Sequence, residues 1–170
     1  SRGLGDVYKR QDKYPDTFRV ISKENGGHGS TINCGIRNAV GKYFKVVDGD
    51  DWVNTADFVK LVEDLEKTES EYVFTNYYEY YDDVNRQKAV DFPQFKDGTE
   101  YDFADVANKV YIPMHALVIK TSVLKDNNIV IDEKCFYVDV EYVMFPVPFV
   151  NKVTFFDLHV YMYRLALSTQ

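Results

Sequence analysis

Three carboxylates stand within four residues at Asp48-Gly49-Asp50-Asp51, directly after the apolar run Tyr43 to Val47. Side chains of one sign at that density repel one another, so a cation is expected among them. A divalent ion with oxygen ligands is the simplest answer, because Mg²⁺ and Mn²⁺ take carboxylates and water. Asp48, Asp50 and Asp51 are therefore the candidate metal ligands. Without such a partner, the same residues would be a solvated acidic turn capping the helix after Trp52. The surrounding elements separate the two readings.

The run Tyr43 to Val47 reads as a strand, and strand–helix alternation around it predicts an α/β sheet, mostly parallel, with a mixed second half. Open sheets of that class bind ligands at the carboxyl ends of strands, where these acids fall. Upstream, Phe18 to Ile21 is a strand candidate. Asn25-Gly26-Gly27-His28-Gly29 reads as a loop able to adopt φ > 0. A helix is expected from Ser30 to Val40, with Gly41 as its stop. Downstream, Asn54 or Thr55 caps a helix on which Phe58, Leu61, Val62 and Leu65 share one face. Tyr72 to Tyr81 predicts a strand, with Gln87 to Phe92 as its return, and residues 93–108 read as irregular. Another strand is expected over Ile112 to Ile119, then a short helix from Thr121. Val138 to Phe145 reads as helical, and Val153 to Phe156 and His159 to Tyr163 as closing strands.

The 170 residues suffice for one domain with a real core. A formal charge of −7 argues against nucleic acid, which needs clustered Lys and Arg. No apolar run is long enough for a membrane-spanning helix. Cys34 and Cys135 lie far apart in unlike contexts, which suggests buried, reduced thiols. The first residues look foreign: Asp6-Val7-Tyr8-Lys9-Arg10-Gln11 resembles the translation of a transposase adapter used in sequencing libraries. Residues 1–11 are therefore set apart from the fold. They carry Arg2, Lys9 and Arg10 against Asp6, so the remainder is more acidic still, at −9. The chain opens on Ser1 and stops at Ser168-Thr169-Gln170 just after a strand-like run, and it reads as a piece of a longer protein.

Three local motifs fail on spacing. A calcium loop from Asp48 would need an acid at Trp52 and glycine at Val53; Gly29-Ser30-Thr31 lacks the Lys of a phosphate loop; the dinucleotide fingerprint from Gly27 would need glycine at Ile32. What remains is a glycine-rich turn entering a helix, then a strand ending in acids. In that order, Glu24-Asn25-Gly26-Gly27-His28-Gly29-Ser30, Asn33, Gly35, Gly41-Lys42-Tyr43 and Val47-Asp48-Gly49-Asp50-Asp51-Trp52 resemble the centre of a family 2 glycosyltransferase of the GT-A fold. Pro113-Met114-His115 and Phe136-Tyr137-Val138-Asp139-Val140-Glu141-Tyr142 resemble the acceptor-side strand and acid-bearing helix of bacterial polysaccharide transferases. The chain departs from the family at Ile32, where Arg is usual, with Arg37 one turn later. It departs again at Val138-Asp139, where the family reads Glu-Asp.

The resemblance implies one partial GT-A domain over residues 12–170, with 12–92 on the donor and metal side and 93–170 on the acceptor side. The family's opening strands, which grip base and ribose, would be absent, so the piece alone would bind nucleotide poorly and be inactive. Implied substrate contacts are Glu24, Asn25, Gly26, Gly27, His28, Asn33, Asp48, Trp52 and His115. Asp139 would be the general base, with Glu141 the alternative, since positions 139 and 141 face different sides of a helix. Asp50 would touch Mg²⁺ or Mn²⁺, and Asp48 would act through water or ribose. The implied reaction is inverting transfer from a nucleotide-diphosphate sugar to a saccharide or lipid-linked acceptor in cell-surface polysaccharide synthesis. It would occur in the cytoplasm, at the inner face of the plasma membrane, with peripheral membrane association of the full-length protein. A non-catalytic saccharide- or metal-binding α/β module and a nucleotidyltransferase are the competing classes.

Overall fold

A computed structural model describes the backbone of residues 4–165 and the side chains of residues 9–165. In chain order the elements are α1 (Leu4–Lys13), α2 (Gly27–Asn38), β1 (Tyr43–Phe44), β2 (Trp52–Val53), α3 (Thr55–Leu65), β3 (Tyr72–Tyr81), β4 (Arg86–Val90), β5 (Thr99–Asp102), α4 (Phe103–Ala107), β6 (Leu117–Lys120), α5 (Thr121–Asp126), α6 (Val138–Met144) and β7 (Lys152–Leu165). Residues 1–3 of the segment set apart as foreign, and the end at Ser168 to Gln170, lie outside the described residues. α1 crosses the boundary drawn at residue 12.

The run Tyr72-Val73-Phe74-Thr75-Asn76 is buried throughout, so it belongs in mid-sheet with both faces covered. It lies there, in the order β1-β6-β3-β7-β2, with β4 pairing the far half of β3 and β5 pairing β7. The expectation of a mostly parallel sheet is corrected by the pairings. Only β3–β7 is parallel, and the β1–β6, β2–β7, β3–β4, β3–β6 and β5–β7 pairs are antiparallel. A parallel pair needs a long crossover, and the stretch between β3 and β7 supplies one, whereas β3 and β4 are joined by a tight turn at Asp82–Val84.

The closing segment is one strand of 14 residues rather than two. Register shifts against β3 around Asn76 absorb the irregularity between Phe156 and His159. The expected strand at Phe18 to Ile21 does not form; those residues join no sheet, and Phe18 and Ile21 are exposed. Residues 112–116 also stay outside the sheet, leaving the short β6 and putting His115 in the turn before it. Residues 93–108, read as irregular, contain β5 and α4. There Phe95 and Phe103 pack on Phe74 and Tyr72, which supplies the order that a polar sequence concealed. Cys135 is exposed in the turn before α6 and Cys34 half-buried, so the expectation of two buried thiols fails.

The helix expected to run to Val40 ends at Asn38, before Gly41, whereas the signals around α3 formed as expected. Asn54 Oδ1 accepts from the Ala56 and Asp57 N–H groups at 3.1 and 3.3 Å, capping α3. The face of α3 carrying Leu61 covers Val73, Val118 and Val160 on one side of the sheet. The other side holds the main core, built from Phe74, Phe155, Tyr142 and neighbours. No helix among the described residues is long and apolar enough to cross a membrane.

Candidate active site

The acidic turn leaves β1 and is tied back onto β7. The Asp51 N–H donates to the Asp48 carbonyl at 3.1 Å, closing the turn. The Asp48 N–H donates to the Tyr161 hydroxyl at 3.1 Å, and that hydroxyl donates to Asp51 Oδ2 at 2.5 Å. The Arg164 N–H donates to Asp51 Oδ1 at 2.8 Å. Both Asp51 oxygens are thus oriented by protein groups, while Asp50 stays exposed at the tip.

Asp48 faces three groups of interest. His28 Nε2, near the start of α2, lies 3.1 Å from Asp48 Oδ1. Asp51 and His115 each place a ligand atom within 4.8 Å of Asp48 and of each other. Burial first, then the charges of Asp51, Asp50 and Asp139, push the Asp48 pKa up, and His28 opposes them. Asp139, half-buried near the start of α6, is therefore close enough to feel the acidic turn. Its charge also reaches His115, Tyr111 and Tyr163. Glu141 turns the other way, and its Oε2 accepts from the Asp132 N–H at 2.8 Å. The two acids of α6 thus have different surroundings: the charge of Asp139 reaches the acidic turn, and Glu141 holds the neighbouring loop.

Other implied contacts serve the fold. Asn33 is buried and bonds Ile131 twice, donating to its carbonyl at 2.8 Å and accepting from its N–H at 2.9 Å. That leaves its amide committed to the 131–134 loop rather than open to a substrate. The glycine-rich segment meets the same loop. A Cβ on Gly29 would lie 2.0 Å from the Asp132 carbonyl oxygen, and Gly27 takes φ +81° beside the Lys134 backbone. The glycines stand in the first turn of α2, not in a loop before it, because the helix begins at Gly27. Asn25 Oδ1 accepts from the Gly27 N–H at 3.0 Å, Gly26 is buried, and Glu24 is exposed.

Lys45, which the sequence reading did not single out, lies beneath the site. Its ammonium donates to the His115 and Leu117 carbonyls at 2.8 and 3.2 Å and sits 5.2 Å from the Tyr161 ring centroid. Burial lowers its pKa to about 7. His115 stacks on Tyr163 with centroids 3.8 Å apart, and burial lowers its pKa as well. Tyr161 and Tyr163 alternate along β7, and that period of two was the one sequence signal for them.

Two depressions flank the acidic turn. One of about 360 Å³ is lined by His28, Ile32, Phe44, Lys45 and Asp48. The other, of about 610 Å³, is lined by Asp50, Asp51, Trp52, Tyr80 and Arg164, with Trp52 edge-on to Tyr80 at 5.1 Å. A separate apolar cavity of about 440 Å³ beside α6 has no acid in its lining.

The sequence pattern described as Glycosyl transferase family 2 matches residues 2–127, which takes in most of the segment set apart as foreign. Among curated proteins, the uncharacterized glycosyltransferase EpsJ of Bacillus subtilis (strain 168) is 38% identical over 74 residues, 44% of this chain and 22% of that protein. Glycosyltransferase GlyG of Streptococcus pneumoniae serotype 4 is 34% identical over 76 residues, 44% of this chain and 24% of that protein. Among solved structures, residues 1–349 of S. aureus TarS in complex with UDP-GlcNAc superimpose with a TM-score of 0.69 at 17% identity, covering 96% of this chain and 47% of that one. At that identity the likeness speaks for the fold, which is of the GT-A type. The chain spans about half of the TarS chain, and its matches span about a quarter of the curated relatives.

Proposed function

The chain belongs to glycosyl transferase family 2, and from that premise we propose that its parent protein transfers a sugar from a nucleotide-diphosphate sugar to a saccharide or lipid-linked acceptor. The observation that carries this reading is the convergence of Asp48 and Asp51 at one end of the sheet, with Asp139 within electrostatic reach. Their carboxylates suit a divalent ion, since hard cations take oxygen donors. Bound there, Mg²⁺ or Mn²⁺ would stabilise negative charge on the departing diphosphate as a Lewis acid. His28, whose Nε2 lies 3.1 Å from Asp48, would donate to a donor phosphate. Asp139 would take the proton of the acceptor hydroxyl as its oxygen bonds the anomeric carbon. The bond to the diphosphate breaks in the same step, giving inversion without a covalent sugar intermediate. An acceptor of that class fits cell-surface polysaccharide synthesis in the cytoplasm, at the inner face of the plasma membrane.

Hydrolysis and transfer with a panel of nucleotide sugars, run on the full-length protein with and without chelator, test the reading. Asp139→Asn is expected to lower kcat by at least about a hundredfold with the donor KM little changed, as removal of a general base does. Glu141→Gln should cost less, because its carboxylate holds the Asp132 loop. A larger loss at Glu141 would reassign the base, and no turnover of any donor would remove the activity itself.

A further inference from the structure

The acidic turn has a second side, away from Asp139. Along β7, Tyr161 and Tyr163 both meet the His115 ring. Side chains alternate along a strand, so Met162 and Arg164 point to the opposite face. On that face Val160 packs with Leu61 of α3. Register puts Trp52 opposite Met162 and Tyr80 opposite Arg164, on the same face again. The depression of about 610 Å³ lined by Trp52, Tyr80, Asp82, Arg164, Asp50 and Asp51 therefore opens on the reverse of the sheet from His115 and Tyr163. Only the acidic turn is common to both sides. The volume is that of a small-ligand site, which runs from about 300 to 1,000 Å³.

Its walls are of two kinds. Trp52 meets Tyr80 edge-on, and the Tyr80 hydroxyl donates to Asn85 Oδ1 at 2.7 Å, which fixes that ring. Met162, opposite Trp52 in register, is buried, while Trp52 itself stays exposed. The polar wall is an ion pair, in which Arg164 Nε donates to Asp82 Oδ2 at 2.6 Å. Donors and acceptors thus stand side by side next to aromatic rings. A pyranose has the matching build. Its C–H face suits the rings, and its hydroxyls, each both donor and acceptor, suit guanidinium and carboxylate together. Charge narrows the choice further. Asp50, Asp51 and Asp82 outnumber the one guanidinium and repel a phosphate, and Arg164 repels an ammonium ligand. We infer that this depression binds a neutral saccharide unit, held apart from the sugar being transferred. Under the transferase reading above, on which this second step rests, the bound unit is a remote residue of a saccharide acceptor.

Trp52 is the only tryptophan of the chain, so its emission reports on this depression directly. The 170-residue chain is titrated with neutral mono- and tetrasaccharides of glucose, galactose, mannose and N-acetylglucosamine. At least one tetrasaccharide should change the emission saturably. Tyr80→Leu and Asp82→Asn keep the reporter, and each should weaken that binding at least about tenfold. Emission unmoved by every tetrasaccharide overturns the inference, and so does binding that persists in both variants. Displacement of the saccharide by UDP-N-acetylglucosamine would put it in the reaction centre and overturn the inference as well. In the full-length protein, the gain in kcat/KM from a mono- to a tetrasaccharide acceptor should shrink at least about tenfold in Tyr80→Leu. An undiminished gain would remove the acceptor role. Saccharide binding in a protein that turns over no nucleotide sugar would defeat the transferase reading and leave this site standing. Turnover with no saccharide-dependent emission would do the reverse.

Discussion

Lys45 is a cation placed where charge is expensive to keep. Its residue is only half-buried overall, but the ammonium is enclosed between two carbonyls and a tyrosine ring. Desolvation takes its pKa from 10.5 to about 7. Between those values the unfolded chain holds a proton that the folded chain has released. Stability should therefore rise as pH climbs from about 7 toward 10, and the full cost of the buried charge is felt below 7. Denaturant unfolding of the wild type should show a gain on the order of 2–3 kcal/mol between about pH 7 and 9.5. Lys45→Met should lack that slope whatever its absolute stability. Parallel pH curves for the two proteins would mean the ammonium is better solvated than its surroundings imply. Asp48 moves in the other direction because it is an acid: with its pKa raised, it favours the folded state most at low pH and loses that contribution as pH rises above the ordinary carboxylate range.

The contact between α2 and the 131–134 loop decides how the glycine-rich segment should be understood. A methyl group on Gly29 would collide with the Asp132 carbonyl, which is backbone and cannot swing aside. Gly29→Ala is therefore expected to destabilise by about 1–3 kcal/mol through overpacking. Asn33→Ala should cost a similar amount, because it strands the Ile131 N–H and carbonyl in the interior. Thermal unfolding of both variants checks this; near-wild-type midpoints would show that the loop can leave α2 cheaply. Neither contact could be read from the sequence, since the partners lie about 100 residues apart. What was legible was local: the Asn54 cap, the Leu61 face of α3, the long apolar β3, and the separation of Asp139 from Glu141. Strand direction was not legible, because it depends on which segments supply crossovers. The acids of the site stood out by density, whereas Lys45 and Tyr161 became visible only once β7 carried Tyr161 under the turn and against the Lys45 ammonium.

At the scale of the molecule, β3 and β7 form the trunk. The first half of β3 has β6 on one side and β7 on the other, and the second half has β4 and β7. Amide exchange should be slowest there, because opening either strand breaks two ladders and uncovers both cores. α1 stands in contrast. Its described side chains Lys9, Arg10, Asp12 and Lys13 are exposed, and Gln11 is half-buried, accepting from the Val20 N–H at 2.6 Å. Val20 itself belongs to no strand, so this bond ties one peripheral segment to another. The reading of residues 1–11 as foreign then makes a definite statement about the whole: their removal should leave the cooperative unfolding of the β3–β7 trunk intact. Deletion of residues 1–11 is expected to shift Tm by less than about 2 °C, which for a domain of this size corresponds to well under 1 kcal/mol. The family pattern begins at residue 2 and sets the opposing expectation. A fall of about 8 °C or more on deletion would make α1 part of the native fold and move the boundary at residue 12 to the start of the chain.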